Sequence, residues 1–231
     1  MKNFPALIFD NFYEKPDMVR DIALSLEYED SDGRWPGSRT KNLKEAHPAL
    51  YNLTIGKLLL LYYDIQNEDV DIDIDVMFQK IPSFHQDPFN VLNKGWIHSD
   101  FGTVAAGIVY LNKDEDLHCG TSIFRLKKEH SLHTYDELTS EDFISPKISF
   151  YKEKQISDDY EDRHSKNNDL FEETIRVNNI YNRLVFYDAQ SFHAVNSYGI
   201  TKEPFRLTQV FFIKKMNKTY PAQRSRKIYI K

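Results

Sequence analysis

The sequence of 231 residues contains a single cysteine, Cys119, and lacks any long apolar run. A lone cysteine cannot close an internal disulfide, which excludes a small secreted disulfide scaffold. The longest apolar run, at 58–63, is far shorter than the roughly 20 residues of a membrane-spanning helix. The apolar residues near the amino terminus meet Asp10 before they reach signal-peptide length. We therefore expect a cytoplasmic protein without a membrane-spanning segment.

A strong net charge is also lacking, because 30 basic residues are balanced by 35 acidic ones and the formal charge is −5. This balance argues against a general affinity for nucleic acid backbones. Apolar residues make up 41% of the chain and aromatic residues 14%, a composition typical of globular rather than disordered proteins. Bases accumulate without acids after Pro204. We interpret 216–231 as a basic tail that is either solvated or in contact with an acidic partner.

The first 69 residues combine a short apolar strand at 5–9 with two amphipathic helices. Pro16 opens the first helix, and Pro48 opens the second, which we expect to end at Leu61. Apolar residues recur at spacings of three and four in both segments, so one face of each helix is predicted to pack against a sheet. The predicted apolar faces consist of Met18, Val19, Ile22, Ala23 and Leu26 in the first helix, and of Leu50, Ile55, Leu58, Leu59 and Tyr62 in the second.

From residue 70 onward, β-branched and aromatic residues form short runs separated by turn residues. No helix alternates regularly with these runs, so the pattern favours a barrel or a double-sheet jelly roll over a parallel sheet. We predict a single domain that is mainly β with N-terminal helices (α+β). Its parts are helical support at 1–69, a jelly-roll core at 70–215 and the tail at 216–231. The predicted strands of the core are 70–81, 104–111, 121–126, 184–187 and 207–213. A polar insertion at 127–180 interrupts the core, and its centre, 157–173, is predicted to be a surface loop.

A histidine and a carboxylate stand two residues apart in Trp96-Ile97-His98-Ser99-Asp100. In an extended backbone, residues i and i+2 face the same side, so His98 and Asp100 can bind one metal ion together. His193, which follows the run at 184–187 after a turn, is the candidate third ligand. Two histidines and one carboxylate form the facial triad of non-haem Fe(II) oxygenases. The alternative for such a triplet is a solvated loop without a metal.

Arg206 begins the last predicted strand and shares one strand face with Thr208, Val210 and Phe212. A guanidinium among apolar side chains needs an anion, and arginine binds carboxylates through paired hydrogen bonds. A dicarboxylate cosubstrate that chelates the iron through a 2-oxo acid end would place its distal carboxylate beside Arg206. The alternative is a structural ion pair between Arg206 and an acidic side chain.

With these residues in this order, the sequence resembles the Fe(II)- and 2-oxoglutarate-dependent dioxygenases, in particular their prolyl 4-hydroxylase-like branch. The resemblance covers about 77–214, and its matching segments are His98-Ser99-Asp100, 107–114, 120–125, 183–188 with His193, and Arg206. It implies a double-stranded β-helix (jelly roll, cupin-like) and the cofactors Fe(II), 2-oxoglutarate and O2. By position, His98, Asp100 and His193 resemble the iron ligands and Arg206 the 2-oxoglutarate anchor. Tyr110 resembles a tyrosine whose hydroxyl assists that anchor, or else it fills the barrel interior.

The resemblance implies a hydroxylase that releases succinate and CO2 and hydroxylates a prolyl residue in a peptide or protein. Two alternatives remain open, a small-molecule or free amino-acid substrate and a non-catalytic jelly-roll binding module. A nucleic acid substrate is disfavoured, because Phe212 stands where related demethylases carry a second arginine. The segment 127–180 is either a lid over the site or a solvated decoration. The candidate zinc ligands are His118, Cys119, His130 and His133. Their spacings match no four-ligand zinc pattern, so a zinc site is not predicted.

Overall fold

The structure, a computed structural model, describes residues 6–61, 69–114 and 116–217. In chain order the strands are β1 (Ala6–Phe9), β2 (Glu29–Asp30), β3 (Ser38–Arg39), β4 (Ile72–Ile81), β5 (Ala105–Tyr110), β6 (Thr121–Leu126), β7 (Phe171–Val177), β8 (Leu184–Asp188), β9 (Phe192–Val195) and β10 (Arg206–Met216). The α-helices are α1 (Pro16–Ser25), α2 (Leu43–Ala46), α3 (Pro48–Leu60), α4 (Leu132–Leu138), α5 (Glu141–Glu153) and α6 (Tyr160–Asn168). The predicted basic tail, apart from 216–217, and the predicted helix residue Tyr62 lie outside the described residues.

Two antiparallel sheets form the core of the described chain. The large sheet has the strand order β1-β8-β5-β10-β4-β3-β2, and the small sheet has the order β7-β6-β9. Strands that are distant in sequence become neighbours, since β10 pairs with both β4 and β5. This is the jelly roll that the sequence predicts, and the mainly β fold class with N-terminal helices is confirmed.

Side-chain alternation along β10 shows how the large sheet separates two apolar layers. Leu207, Phe211 and Ile213 pack on one face with Val19 of α1 and Leu58 of α3. The opposite face packs between the two sheets and includes Val210, Ile108, Val185, Ile123 and Val177. Successive strand residues point to opposite faces, so Arg206 and Thr208 also point between the sheets. The functional residues of β10 therefore lie inside the jelly roll.

The two predicted N-terminal helices are present, with changes in the faces that they bury. Helix α1 buries Val19 and Ala23, whereas the prediction that Met18 is a core residue is wrong, because Met18 is 50% exposed. Helix α3 buries Tyr51 and Thr54 in addition to the predicted Leu50 and Leu58. Hydrogen bonds make this polar face possible, since the Tyr13 hydroxyl bonds to both Thr54 and Gln209. No helix in the described part of the chain is long and apolar enough to cross a bilayer.

The predicted insertion at 127–180 is wrong in its boundaries and in its central loop. It contains α4, α5 and α6, and its last strand, β7, pairs with β6 in the small sheet. Helix α6 replaces the predicted surface loop at 157–173 and buries Tyr160, His164 and Asn167. Charged residues are tolerated in β7 because Glu173 and Arg176 pair with each other at the surface. The polar composition therefore reflects half-exposed elements rather than a loop.

Candidate active site

Backbone pairing between two segments brings the three predicted metal ligands together. His98 lies opposite His193 of β9 in an isolated antiparallel bridge, with backbone hydrogen bonds in both directions. The Asp100 amide donates to the carbonyl of Ala189, at the end of β8. Because β9 belongs to the small sheet and β8 to the large one, the site lies where the two sheets meet.

The ligand atoms of His98, Asp100 and His193 all lie within 4.8 Å of one another. The Nε2 atoms of His98 and His193 are 3.7 and 3.4 Å from carboxylate oxygens of Asp100. Two ligands at right angles on one metal ion lie about 3 Å apart when each bond is about 2 Å long, which is close to these separations. Asp100 Oδ2 is buried and has no hydrogen-bond partner among the described residues. The triad therefore fits a metal ion, which would satisfy this oxygen.

Hydrogen bonds fix the orientation of both imidazoles. His98 Nδ1 lies 2.8 Å from the carbonyl of Trp96, and His193 Nδ1 lies 2.9 Å from the carbonyl of Ser191. A carbonyl only accepts, so each Nδ1 carries the proton and each Nε2 presents its lone pair. Such contacts to the outer nitrogen orient metal-binding histidines in proteins.

The electrostatics of the site keep His98 neutral. Desolvation by the surrounding protein lowers the pKa of His98, and the facing His193 lowers it further, while Asp100 acts in the opposite direction. The side chain of His98 is 44% exposed, so this lowering reflects the concave wall around the ring rather than complete enclosure. A neutral imidazole is the form that binds a metal.

A cavity of about 250 Å³ extends from this triad into the jelly roll. His98, Asp100 and His193 line it, and Arg206 lines it as well. Aromatic side chains form much of its wall, namely Trp35, Trp96, Tyr151, Tyr187, Tyr198 and Phe212. The structure thus places the predicted metal ligands and the predicted anion anchor around one cavity.

Arg206 is 1% exposed and has an incomplete set of hydrogen bonds. Its Nε donates to the carbonyl of Cys119, whereas one terminal guanidinium nitrogen is buried without a partner. No carboxylate of the described residues lies within 4.0 Å of Arg206, so the alternative of a structural ion pair is not observed there. A buried guanidinium with an unsatisfied nitrogen fits an anionic ligand.

Tyr110 and Thr208 lie beside Arg206 but do not line the cavity. They are direct partners across β5 and β10. The Tyr110 hydroxyl donates to Thr121, which does line the cavity, and the Tyr110 ring lies 5.3 Å from the Arg206 guanidinium carbon. The hydroxyl of Thr208 is buried without a hydrogen-bond partner among the described residues. Both residues therefore form a wall behind Arg206.

Arg39 and Lys147 are cationic residues of the cavity that were not predicted from the sequence. Arg39 lies in the two-residue strand β3, and burial lowers its pKa to about 10. Lys147 lies in α5, and burial lowers its pKa to about 8. A strand of two residues leaves no periodic signal, and the internal Pro146 disguises α5 in the sequence. No sequence pattern identifies either residue.

The histidines and the cysteine outside the triad form no second metal site in the described residues. His118 contacts the carbonyl of Gly199, and His133 pairs with Glu137 at the surface of α4. Cys119 is buried, and burial raises the pKa of its thiol to about 12.

The arrangement of two sheets around this site is the fold of the iron- and 2-oxoglutarate-dependent oxygenases. HygX from Streptomyces hygroscopicus with nickel, 2-oxoglutarate and hygromycin B bound superposes with a TM-score of 0.54 at 13% identity, over 91% of this chain and 83% of HygX. The iron-bound form of HygX gives 0.51 at 11% identity, over 91% and 82% of the two chains. A prolyl-4-hydroxylase from Pseudomonas putida gives 0.46 at 12% identity, over 92% and 94%.

The sequence itself identifies the family of the chain. Residues 76–206, more than half of the chain, match the family described as "Family of unknown function (DUF6445)". The chain belongs to this family. No curated protein matches the sequence. The matched region begins in β4 and ends at Arg206, so it contains the whole metal triad and the buried arginine.

Proposed function

We propose that the protein is an Fe(II)- and 2-oxoglutarate-dependent oxygenase that hydroxylates a C–H bond. The observation that carries the proposal is one cavity lined both by a two-histidine, one-carboxylate triad and by a buried arginine with an unsatisfied nitrogen. The fold shared with HygX, whose structures hold metal and 2-oxoglutarate, supports the same assignment.

In this proposal, His98, Asp100 and His193 hold Fe(II) through the two Nε2 atoms and a carboxylate oxygen. The carbonyls of Trp96 and Ser191 hold the two imidazoles in the tautomer that binding requires. A facial triad leaves part of the coordination sphere of the iron open to ligands. When bound, the metal and its cosubstrates supply the oxidising chemistry, so no side chain needs to act as a nucleophile.

Arg206 binds the distal carboxylate of 2-oxoglutarate in the same proposal. Its Nε already donates to the carbonyl of Cys119, which leaves the unsatisfied terminal nitrogen for the ligand. Thr208, whose buried hydroxyl also lacks a partner among the described residues, supports Arg206 from behind on the same strand face. Tyr110 positions Thr121 and the guanidinium rather than contacting the ligand itself. Removal of 2-oxoglutarate would leave these groups buried and unsatisfied, which costs free energy.

The proposed substrate presents a small group to the triad, because aromatic side chains narrow the cavity there. A prolyl residue of a peptide or protein remains a prediction from the sequence resemblance. A small-molecule substrate is the second candidate, and the cavity volume of about 250 Å³ favours it. Lys147 and Tyr151 of α5 reach this cavity, so the helical segment at 132–168 is the proposed wall or lid over the substrate.

The test is an anaerobic titration of the metal-free protein with Fe(II) and 2-oxoglutarate. Chelation of the iron by the oxo acid produces a weak visible charge-transfer band, so the wild type is expected to develop this band with one equivalent of each. His98→Ala should abolish the band, and Arg206→Met should shift its midpoint to at least tenfold higher 2-oxoglutarate, since a charged hydrogen-bond pair is lost.

His133→Ala is the matched control, because His133 is an exposed histidine of α4 outside the cavity. This variant should give the wild-type band. A folded wild type that binds Fe(II) but shows no band with 2-oxoglutarate contradicts the oxygenase proposal and favours the non-catalytic binding module. Metal-free protein should remain folded, because a catalytic metal is not required for the fold whereas a structural metal is.

A further inference from the structure

Two cationic side chains reach the cavity without an ionic partner. Arg39 and Lys147 both line it, and no carboxylate of the described residues lies within 4.0 Å of either charge. Arg39 Nε is buried without a hydrogen bond, and so is the indole nitrogen of Trp35, whose ring lies 4.6 Å from the guanidinium carbon of Arg39. Hydrogen-bond donors without acceptors therefore line this part of the cavity.

Arg39 marks a different position in the cavity from Arg206. The guanidinium of Arg206 lies over the ring of Tyr110, which pairs with Thr208. The guanidinium of Arg39 lies 5.2 Å from the ring of Phe212 and comes from β3, which β4 separates from β10. Neighbouring strands lie about 4.8 Å apart, so the backbones of β3 and β10 are about 10 Å apart. The two arginines thus reach the cavity from different strands, and one carboxylate does not account for both.

The charges around the cavity also indicate a second anion when Fe(II) and 2-oxoglutarate are bound, an inference that rests on the proposed function. Asp100 is the one carboxylate among the described lining residues, whereas Arg34, Arg39, Lys147 and Arg206 are cationic. Fe(II) and 2-oxoglutarate carry equal and opposite charges, so together they leave the excess of positive charge unchanged. Arg34 is 80% exposed and paired with Asp32, so the uncompensated charge belongs to Arg39 and Lys147.

We propose that the substrate carries an anionic group, a carboxylate or a phosphate, that binds at Arg39 and Lys147. Arg39 comes from β3 and Lys147 from α5, so the anion joins the large sheet to the helical segment. The rest of the substrate packs among Trp35, Trp96 and Tyr198. The substrate is thus an anion with an apolar or flat body, and its charged end sets its orientation to the metal.

The two tryptophans of the sequence, Trp35 and Trp96, both line the cavity, so intrinsic fluorescence reports directly on binding there. The experiment titrates protein loaded anaerobically with Fe(II) and saturating 2-oxoglutarate, so that Arg206 is already engaged. The probes are hippurate, its neutral amide hippuramide, and phenyl phosphate. These share an aromatic body and differ in charge, and none is a 2-oxo acid. Lys152→Met is the control, because Lys152 is an exposed lysine of α5 outside the cavity.

The expected result is saturable quenching by at least one anion, with hippuramide binding at least tenfold more weakly than hippurate if the carboxylate is preferred. A preference for phenyl phosphate identifies a phosphate instead. The double variant Arg39→Met/Lys147→Met should bind the anion at least tenfold more weakly than the wild type, while Lys152→Met should bind it with unchanged affinity. In the double variant the visible band of the 2-oxoglutarate complex should form as in the wild type.

Binding of hippuramide as tight as that of the better-bound anion, unchanged anion binding in the double variant, or no saturable quenching by either anion would each overturn the proposal. Absence of the visible band in the same samples would show that the proposed function is wrong, independently of the anion site. The fluorescence titration is then repeated on metal-free protein, where loss of anion binding in the double variant still identifies the anion site. The two inferences are therefore tested by independent signals.

Discussion

Lys147→Met should make the metal-free protein more stable at neutral pH. Burial lowers the pKa of Lys147 from 10.5 to about 8, and only the attraction of Asp100 opposes this change. Each pKa unit corresponds to 1.36 kcal/mol, so the full cost of the buried charge is about 3 kcal/mol. The residue is only partly shielded from solvent, which reduces the expected gain to about 1–2 kcal/mol. Methionine keeps the apolar stem near Trp96.

The pH dependence of this gain has a defined sign. The folded protein releases the Lys147 proton at lower pH than the unfolded chain, so the unfolded chain binds more protons between about pH 8 and 10.5. Wild-type stability therefore rises through this window relative to the variant. The advantage of Lys147→Met is complete below about pH 8 and disappears near pH 10.5.

Thermal and urea unfolding of metal-free protein at pH 7 and pH 10.5 measures this effect. For a chain of this size, about 1–2 kcal/mol raises Tm by about 2–8 °C. Lys152→Met serves as the control and should leave Tm unchanged, because Lys152 is exposed. A variant that is no more stable than the wild type at pH 7, or whose advantage persists unchanged at pH 10.5, refutes the view that Lys147 is a buried cation without a partner.

Further predictions concern backbone spacing and the support of the triad. Gly120→Ala should destabilise the protein by at least about 2 kcal/mol in urea unfolding, because its Cβ would lie 1.8 Å from the carbonyl oxygen of Val177. Gly56→Ala in α3 meets no atom within 4 Å and should stabilise by about 1 kcal/mol, so equal effects of the two changes would contradict this reasoning. Asn168→Ala should lower the affinity for Fe(II) about tenfold in a calorimetric titration, because Asn168 bonds to the backbone of Gly95 and Ile97 ahead of His98. Fe(II) affinity equal to that of the wild type would show that α6 does not position the triad.

Much of the fold could be predicted from the sequence, because strand periodicity and buried residues agree in the central strands. Leu207, Phe211 and Ile213 alternate with Val210 in β10 as the pattern requires. Strand β7 was missed although Phe171 and Val177 are buried at its ends. Its exposed face carries Glu173 and Arg176, so the share of charged residues in this segment is as high as in a loop. Average polarity is thus a poor guide where one face of a strand meets water.

The candidate site was predictable wherever residues near in sequence are also near in space. His98 and Asp100 stand two apart, and one long-range pairing brings His193 to them. Arg39 and Lys147 were not predictable, because their convergence depends on the positions of β3 and α5 around the cavity. No periodic pattern encodes the approach of two surface elements that are more than 100 residues apart in the chain.

In the proposed function, the protein consumes 2-oxoglutarate and O2 at the site formed by the triad and Arg206. The most direct measurement is mass spectrometry of the products after the iron-loaded protein is exposed to ¹⁸O2 with 2-oxoglutarate and an anionic substrate that binds in the fluorescence titration. One ¹⁸O atom should enter succinate and one the hydroxylated product, and Asp100→Ala should form neither. Absence of labelled succinate from folded wild type that binds Fe(II), 2-oxoglutarate and the anion would contradict the claim.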